Sequence, residues 1–134
     1  MGRPRVLLAE DNPVMAAELR TLLEPELEVV ATVADGRALV TEAAAVRPDV
    51  IVTDIMMPGL DGISATAALL AQCPGTRVVL VTVHDDAKLA ERGYAAGALA
   101  YVRKLTAAHD LVPAVHAALR GERYVSPHVR GGLA

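Results

Sequence analysis

Five short apolar runs divide the chain into segments. They are RVLLA (5–9), EVVATV (28–33), DVIVT (49–53), RVVLVTV (77–83) and LAYV (99–102). The runs are rich in β-branched residues and mostly do not alternate with polar ones, which is typical of strands buried on both faces of a parallel sheet. The pattern therefore predicts five strands.

Stretches with helical periodicity separate the runs. In the first, apolar residues recur at i, i+4, i+7 and i+8 from Met15, on one face of a helix. Asn12 is a natural N-cap for this helix, and Pro13 suits its first position. The fifth helix is predicted to begin after Asp110, with Pro113 in its first turn, where proline is tolerated.

The fourth helical stretch, at residues 87–96, has the weakest apolar face. Leu89 is its only large aliphatic residue, and Gly93 lies inside it. We expect a helix that makes thin contact with the sheet and is therefore easily displaced.

Strand and helix alternate five times, which favours an open, doubly wound α/β sheet with right-handed crossovers. In such sheets ligands bind beyond the carboxyl ends of the strands. The segment from Gly121, GERYVSPHVRGGLA, leaves the alternation, and we interpret it as a linker or a frayed end.

Composition and charge narrow the class of protein. The 134 residues suffice for one domain, and 53% of them are hydrophobic, so we expect a globular protein with a largely aliphatic core. The net charge of -3 argues against an electrostatic nucleic-acid binder. The single cysteine, Cys73, excludes an internal disulfide and favours a reducing cytoplasm. No apolar run approaches the ~18 residues of a membrane span.

Charged and polar residues follow the carboxyl ends of four predicted strands. They are Glu10 and Asp11 after the first, Asp54 at the third, Thr82 at the fourth and Lys104 after the fifth. The topology brings all five to one edge of the sheet. Any one of them alone would suit a helix cap or a solvated surface, but the set together indicates a site.

Three carboxylates at one edge need a counter-charge. Two like charges ~4 Å apart repel by about 4 kcal/mol at an effective dielectric near 20, so either the pKa values rise or a cation lies among them. Lys104 offsets one charge at most. Mg²⁺ prefers such oxygen ligands and keeps exchangeable waters, while a threonine hydroxyl and a lysine ammonium suit a phosphoryl group.

Four motifs carry a resemblance to a known family. AEDN, VTDIMMPGLDG, VLVTVHDD and GALAYVRK resemble the receiver domain of two-component response regulators, over residues 5–121. AGALAYVRK and LRGERYVSP are similar to the subfamily in which the receiver precedes a LuxR-type helix-turn-helix output domain. The resemblance implies a flavodoxin-like fold with five helices and a five-stranded parallel sheet in the order 2-1-3-4-5. It also implies a receiver over 1–121 and a linker over 122–134 toward an output domain that this chain lacks.

The resemblance also implies a role for each residue at the sheet edge. Asp54 would accept a phosphoryl group from a phosphohistidine of a sensor histidine kinase. Asp11 and Asp54, with Glu10 through water, would hold Mg²⁺, and the backbone carbonyl of Met56 would complete the protein ligands. Lys104 would pair with the phosphoryl oxygens.

Further expectations concern the switch. Thr82 would swing toward the phosphoryl group, Tyr101 would turn inward behind it, and His84 and Met56 would flank the approach of water. We hypothesise that the bulky Met56 slows hydrolysis. We expect a cytoplasmic protein that is not an enzyme and has no membrane contact. It forms a homodimer on phosphorylation, for which the first and fifth helices offer surfaces, and it reaches DNA only through the missing output domain.

Rival interpretations lack part of their machinery. An aspartyl-phosphate hydrolase of the haloacid dehalogenase kind needs a second aspartate two residues after the nucleophile, where Met56 stands. A nucleotide binder needs a glycine-rich phosphate loop, which is absent from the sequence. A stand-alone receiver in a phosphorelay and a pseudo-receiver that switches without phosphate remain as alternatives.

Overall fold

Six parallel strands form a single sheet within residues 2–125, the part of the chain that the computed structural model describes. The order along the sheet is β2-β1-β3-β4-β5-β6. The strands are β1 (Arg5–Ala9), β2 (Glu28–Val33), β3 (Val50–Asp54), β4 (Arg77–Thr82), β5 (Ala100–Arg103) and β6 (Tyr124–Val125).

Five α-helices in the described part of the chain cover the two faces of the sheet. They are α1 (Pro13–Leu23), α2 (Gly36–Val46), α3 (Gly62–Gln72), α4 (Ala87–Ala95) and α5 (Ala107–Leu119). α1 and α5 pack on one face, and α2, α3 and α4 pack on the other. The predicted doubly wound α/β fold is confirmed, and so are the five helices.

The prediction of five strands is wrong by one. Tyr124 and Val125 pair in parallel with Ala100 and Tyr101 of β5, so the chain returns to the sheet after α5. A two-residue strand leaves no periodic signal in a sequence, and its side-chain anchors lie on distant elements. Residues 126–134, the rest of the predicted linker, lie outside the described residues.

The core is aliphatic, as the composition predicts. Every residue of β3 is buried, and its alternate side chains enter two separate clusters. Val52 packs with α1 and α5, whereas Ile51 packs with the helices of the opposite face. This two-sided burial explains why the apolar runs are continuous rather than alternating.

The sequence predicted the start of the first helix correctly and that of the fifth helix incorrectly. Asn12 caps α1 as expected, because its side-chain oxygen accepts hydrogen bonds from Val14 N (2.9 Å) and Met15 N (3.1 Å). The prediction that the fifth helix begins after Asp110 is wrong. α5 begins at Ala107, directly after a 3-10 turn, so Pro113 lies inside the helix and removes one backbone hydrogen bond there.

α4 has the thin contact that its sequence predicts. Among the described residues of this helix, Ala90 and Gly93 alone are buried. A Cβ on Gly93 would collide with the side chain of Leu80 on β4, so α4 lies close to the sheet while burying little apolar surface. Helices with few buried apolar contacts open at low free-energy cost.

Candidate functional site

The predicted site residues meet beyond the carboxyl ends of β1, β3, β4 and β5. Oxygen atoms of Glu10, Asp11 and Asp54 all lie within 4.8 Å of one another. Thr82 is the last residue of β4, one position beyond Val81, which pairs with Asp54. The edge that the alternation of strands and helices predicts is therefore the edge that carries this cluster.

Asp54 ends β3 and is buried, with 5% of its surface exposed. One carboxylate oxygen accepts a hydrogen bond from Met56 N at 3.2 Å, and the other accepts one from Lys104 Nζ at 2.9 Å. These two donors fix the plane of the carboxylate at the sheet edge. Met56 itself exposes 57% of its surface beside the site.

Lys104 lies between two buried carboxylates. Its Nζ is 2.9 Å from Asp54 Oδ2 and 2.6 Å from Glu10 Oε1. The contact with Glu10 is an ion pair whose geometry is not that of a hydrogen bond. Burial alone would lower the pKa of Lys104, but the contacts with Glu10 and Asp54 outweigh it and the pKa is raised. The ammonium is therefore held in its charged form.

The pKa of Glu10 is raised by its place in the cluster. Burial is the largest cause of the rise, and the negative charge of Asp54 adds to it. The contact with Lys104 and the hydrogen bond from Asn12 N (3.1 Å) lower the pKa but do not cancel the rise. Burial and the Asp54 charge together therefore outweigh the contacts that stabilise the carboxylate form. A further cation at this edge would stabilise the carboxylate form.

The donor set fits a small divalent cation. Glu10 and Asp54 are buried, whereas Asp11 is exposed and leaves one side of the cluster open to water. Hard carboxylate oxygens with room for several waters are the environment that Mg²⁺ prefers. One lysine charge against three carboxylates leaves a net negative charge that such an ion would neutralise.

Two glycines hold the loop after β3 in place. A Cβ on Gly62 would collide with the backbone oxygen of Asp54, and the Gly62 N–H donates to Ile55 O at 2.8 Å. On the other side of the loop, a Cβ on Gly36 would collide with the backbone oxygen of Leu60. Close backbone approach, rather than a turn alone, therefore requires glycine at both positions.

Asp61 caps α3 at the far end of this loop. Its carboxylate accepts hydrogen bonds from the backbone N–H and the hydroxyl of Ser64, both at 2.9 Å. Partial burial would raise the pKa of Asp61, but these hydrogen bonds outweigh it and the pKa is lowered. α3 therefore begins at Gly62, directly after this cap.

Thr82, His84 and Tyr101 form a connected group beside the carboxylates. Thr82 is fully buried, and its hydroxyl oxygen accepts a hydrogen bond from His84 N at 3.2 Å. Tyr101 points inward, and its hydroxyl donates to His84 O at 2.6 Å. The imidazole of His84 is exposed. Burial raises the pKa of Tyr101, so its hydroxyl stays a donor.

The sequence did not predict some of the side-chain contacts near the site. Arg103 and Asp85 form an ion pair at 3.7 Å that joins β5 to the loop after β4. Asp110 is buried and accepts hydrogen bonds from Thr106 and Tyr124. The spacing of Thr106 and Asp110, four residues apart near a helix start, could have indicated the hydrogen bond between them. Nothing local in the sequence indicates the hydrogen bond from Tyr124.

The chain belongs to the response regulator receiver domain family, whose model matches residues 6–116. The match spans the five longer strands and most of α5, and it includes every residue of the candidate site. The resemblance deduced from the four motifs is confirmed.

Similar proteins support the resemblance to the LuxR-type subfamily. The chain is 33% identical over 132 residues to the response regulator GacA of Pseudomonas viridiflava, covering 97% of this chain and 62% of GacA. It is 31% identical to the crystal structure of a LuxR-family two-component response regulator from Aurantimonas sp. SI85-9A1, with a TM-score of 0.94, covering 98% of this chain and 96% of that one. The chain thus spans about three fifths of the length of curated relatives such as GacA.

The chain is also similar to part of a protein of another class. A protein-glutamate methylesterase/protein-glutamine glutaminase of Myxococcus xanthus is 41% identical over 105 residues, which cover 75% of this chain but 29% of that protein. This match is a partial one, since it covers less than a third of that protein. Within residues 2–125, no helix combines the length and apolar character needed to cross a bilayer.

Proposed function

We propose that the chain is a phosphorylation switch in which Asp54 accepts a phosphoryl group from a sensor histidine kinase. The observation that carries the proposal is the buried Asp54 carboxylate, bound by Lys104 and grouped with Glu10 and Asp11. A carboxylate held in this way is a nucleophile whose approach to an anionic phosphoryl group is screened by positive charge.

The transfer is a displacement at phosphorus. An oxygen of Asp54 attacks the phosphorus atom of the phosphohistidine, a P–O bond forms, and the P–N bond breaks. The electron pair of the broken bond passes to the ring nitrogen, and imidazole leaves in its neutral form after uptake of one proton from solvent. Lys104 lies within hydrogen-bond reach of Asp54 and donates to the phosphoryl oxygens as they arrive.

Mg²⁺ would be held by Glu10, Asp11 and Asp54 together with the backbone carbonyl of Met56. When bound, it supplies the positive charge that the carboxylates and the phosphoryl group together require. The chain's own residues orient the nucleophile. Met56 contributes its N–H to Asp54 and presents an exposed side chain to the side from which water would approach.

The switch would begin at Thr82. Its hydroxyl oxygen accepts a hydrogen bond from His84 N, and its hydroxyl hydrogen would be donated to a phosphoryl oxygen on Asp54. As Thr82 turns, the loop after β4 moves with it, and Tyr101 retains this loop through His84 O. α4 moves in turn because it buries little surface, so a small differential contact suffices to shift its position.

We further propose a cytoplasmic transcription regulator in which residues 1–121 are the receiver and 122–134 lead toward a LuxR-type output domain. Homodimerisation is proposed through α1 and α5, which line an apolar groove of about 730 Å³. Val14 and Leu105 at this groove expose 69% and 80% of their surface. A dimer would bring two output domains to two half-sites of DNA.

Intact-mass spectrometry tests the proposed function. The chain is incubated with Mg²⁺ and acetyl phosphate, and a mass gain of one phosphoryl group is expected. Asp54→Asn should abolish the gain, whereas Asp49→Asn, just before the opposite end of β3, should retain it. A gain that persists in Asp54→Asn would contradict the proposal. Absence of any gain would favour a pseudo-receiver that switches without phosphate.

A further inference from the structure

Two hydroxyl groups from distant parts of the chain share one buried carboxylate. Asp110 lies in the first turn of α5 and exposes 3% of its surface. Thr106 Oγ1 donates to Asp110 Oδ2 at 2.7 Å, and the Tyr124 hydroxyl donates to Asp110 Oδ1 at 3.0 Å. Buried carboxylates require such partners, so both hydroxyls contribute to keeping the group in place.

Only one of these two hydroxyls lies on the turn that carries Lys104. The 3-10 turn Lys104–Thr106 is closed by a hydrogen bond from Ala107 N to Lys104 O. Thr106 Oγ1 also lies 3.5 Å from Arg103 O, on the other side of the lysine. Leu105, between the two residues, exposes 80% of its surface and packs little against the core. The turn is therefore held mainly by hydrogen bonds.

We propose that Thr106, anchored by Asp110, is a positioning residue that fixes Lys104 for phosphoryl transfer to Asp54. This inference rests on the proposed function and deepens it. A lysine side chain is long and flexible, so the place of its Nζ depends on where the backbone of the turn lies. Misplacement of a transfer group by 1 Å costs on the order of 100-fold in rate, and loss of one anchoring bond permits a smaller displacement.

The chain offers a matched pair of variants. Thr106→Val and Tyr124→Phe each remove one hydroxyl and so leave one oxygen of Asp110 without that donor. In the described structure Thr106 makes no side-chain capping bond to α5, so valine there does not remove a helix cap. If Asp110 serves stability alone, the two variants behave alike. If Thr106 positions Lys104, only Thr106→Val changes the chemistry.

The first measurement is the rate of phosphorylation by acetyl phosphate at several donor concentrations. Thr106→Val should lower the maximal rate on the order of tenfold, while Tyr124→Phe stays within about twofold. Thr106→Ser, which keeps the hydroxyl, should restore the rate. Equal rates in wild type and Thr106→Val, or equal losses in both variants, would overturn the inference.

The second measurement does not depend on phosphorylation. The sequence contains two lysines, Lys88 and Lys104. Lys88 is exposed and serves as an internal reference for labelling by an amine-reactive reagent. Thr106→Val should raise the labelling of Lys104 relative to Lys88, and Tyr124→Phe should not. If the variants show this labelling pattern but the wild type is not phosphorylated, the proposed function is refuted and the positioning role is not. If Thr106→Val leaves the Lys104/Lys88 labelling ratio unchanged while the wild type is phosphorylated, the positioning role alone is refuted.

Discussion

Replacement of Lys104 by methionine tests the electrostatic account of the site. Lys104 Nζ lies 2.6 Å from Glu10 and 2.9 Å from Asp54, and all three side chains are at least nine-tenths buried. At an effective dielectric near 20 each contact attracts by about 6 kcal/mol. Desolvation of the three charges offsets most of this gross attraction.

The net cost depends on the charges that the substitution leaves behind. Removing one member of a buried ion pair costs about 3–5 kcal/mol because the partner charge stays buried and uncompensated. Asp11 opens one side of the cluster to water, which favours the lower end of that range. We therefore expect Lys104→Met to lower the free energy of unfolding by about 3 kcal/mol without metal at pH 7. Saturating Mg²⁺ should recover most of the loss, because it supplies the missing positive charge.

Urea denaturation in EDTA and in excess Mg²⁺ measures both effects. Lys88→Met is the matched control, since this lysine is exposed on α4 and its removal should change stability by no more than about 0.5 kcal/mol. The reasoning would be refuted if Lys104→Met cost less than about 1 kcal/mol in EDTA. An equal loss with and without Mg²⁺ would refute it as well.

Three further predictions concern the loop after β3, the edge of the sheet and the signal lifetime. Gly62→Ala should lower the free energy of unfolding in urea by at least about 2 kcal/mol, since its Cβ meets the Asp54 backbone oxygen. Burial and Asp110 raise the pKa of Tyr124 from 10.0 to about 12. Its contribution to stability is therefore complete below pH 10 and lost as the pH rises through 12, and Tyr124→Phe should abolish this loss in pH-dependent denaturation. Met56→Asn should accelerate loss of the phosphoryl group in a dephosphorylation time course, and an unchanged rate would discard the hypothesis.

The alternation of strands and helices was sufficient to predict most of the fold. β1, β3 and β4 are buried on both faces, so their sequences are continuous apolar runs that stand out from the helices between them. The same pattern predicted the site. Glu10, Asp54 and Lys104 each lie at or just after a strand end, and parallel strands bring those ends together whatever the details of packing.

β6 could not be predicted because its stability comes from distant contacts. Tyr94 on α4 donates its hydroxyl to Tyr124 O at 3.0 Å, and the Arg123 guanidinium lies 4.4 Å from the centre of the Tyr94 ring. A two-residue segment has too few positions to show a strand pattern. Its attachment depends on partners 30 residues away in the sequence, which local pattern does not reveal.

The start of α5 was misplaced for a related reason. The predicted start after Asp110 put Pro113 in the first turn, where proline is tolerated. The hydroxyl of Thr106 and that of Tyr124 instead hold this carboxylate inside the first turn. The 3-10 turn after Lys104 leads directly into the helix, and Pro113 is accommodated in its interior.

Reductive trapping of the phosphorylated chain tests the central claim most directly. Borohydride converts an aspartyl phosphate to homoserine, and peptide mass mapping then identifies the residue that carried the phosphoryl group. After treatment with acetyl phosphate, homoserine is expected at position 54 alone, in the presence of Mg²⁺ and not in EDTA. Homoserine at another aspartate, or the same yield at Asp54 without a divalent cation, would contradict a site in which clustered carboxylates hold a metal ion for one of them to be phosphorylated.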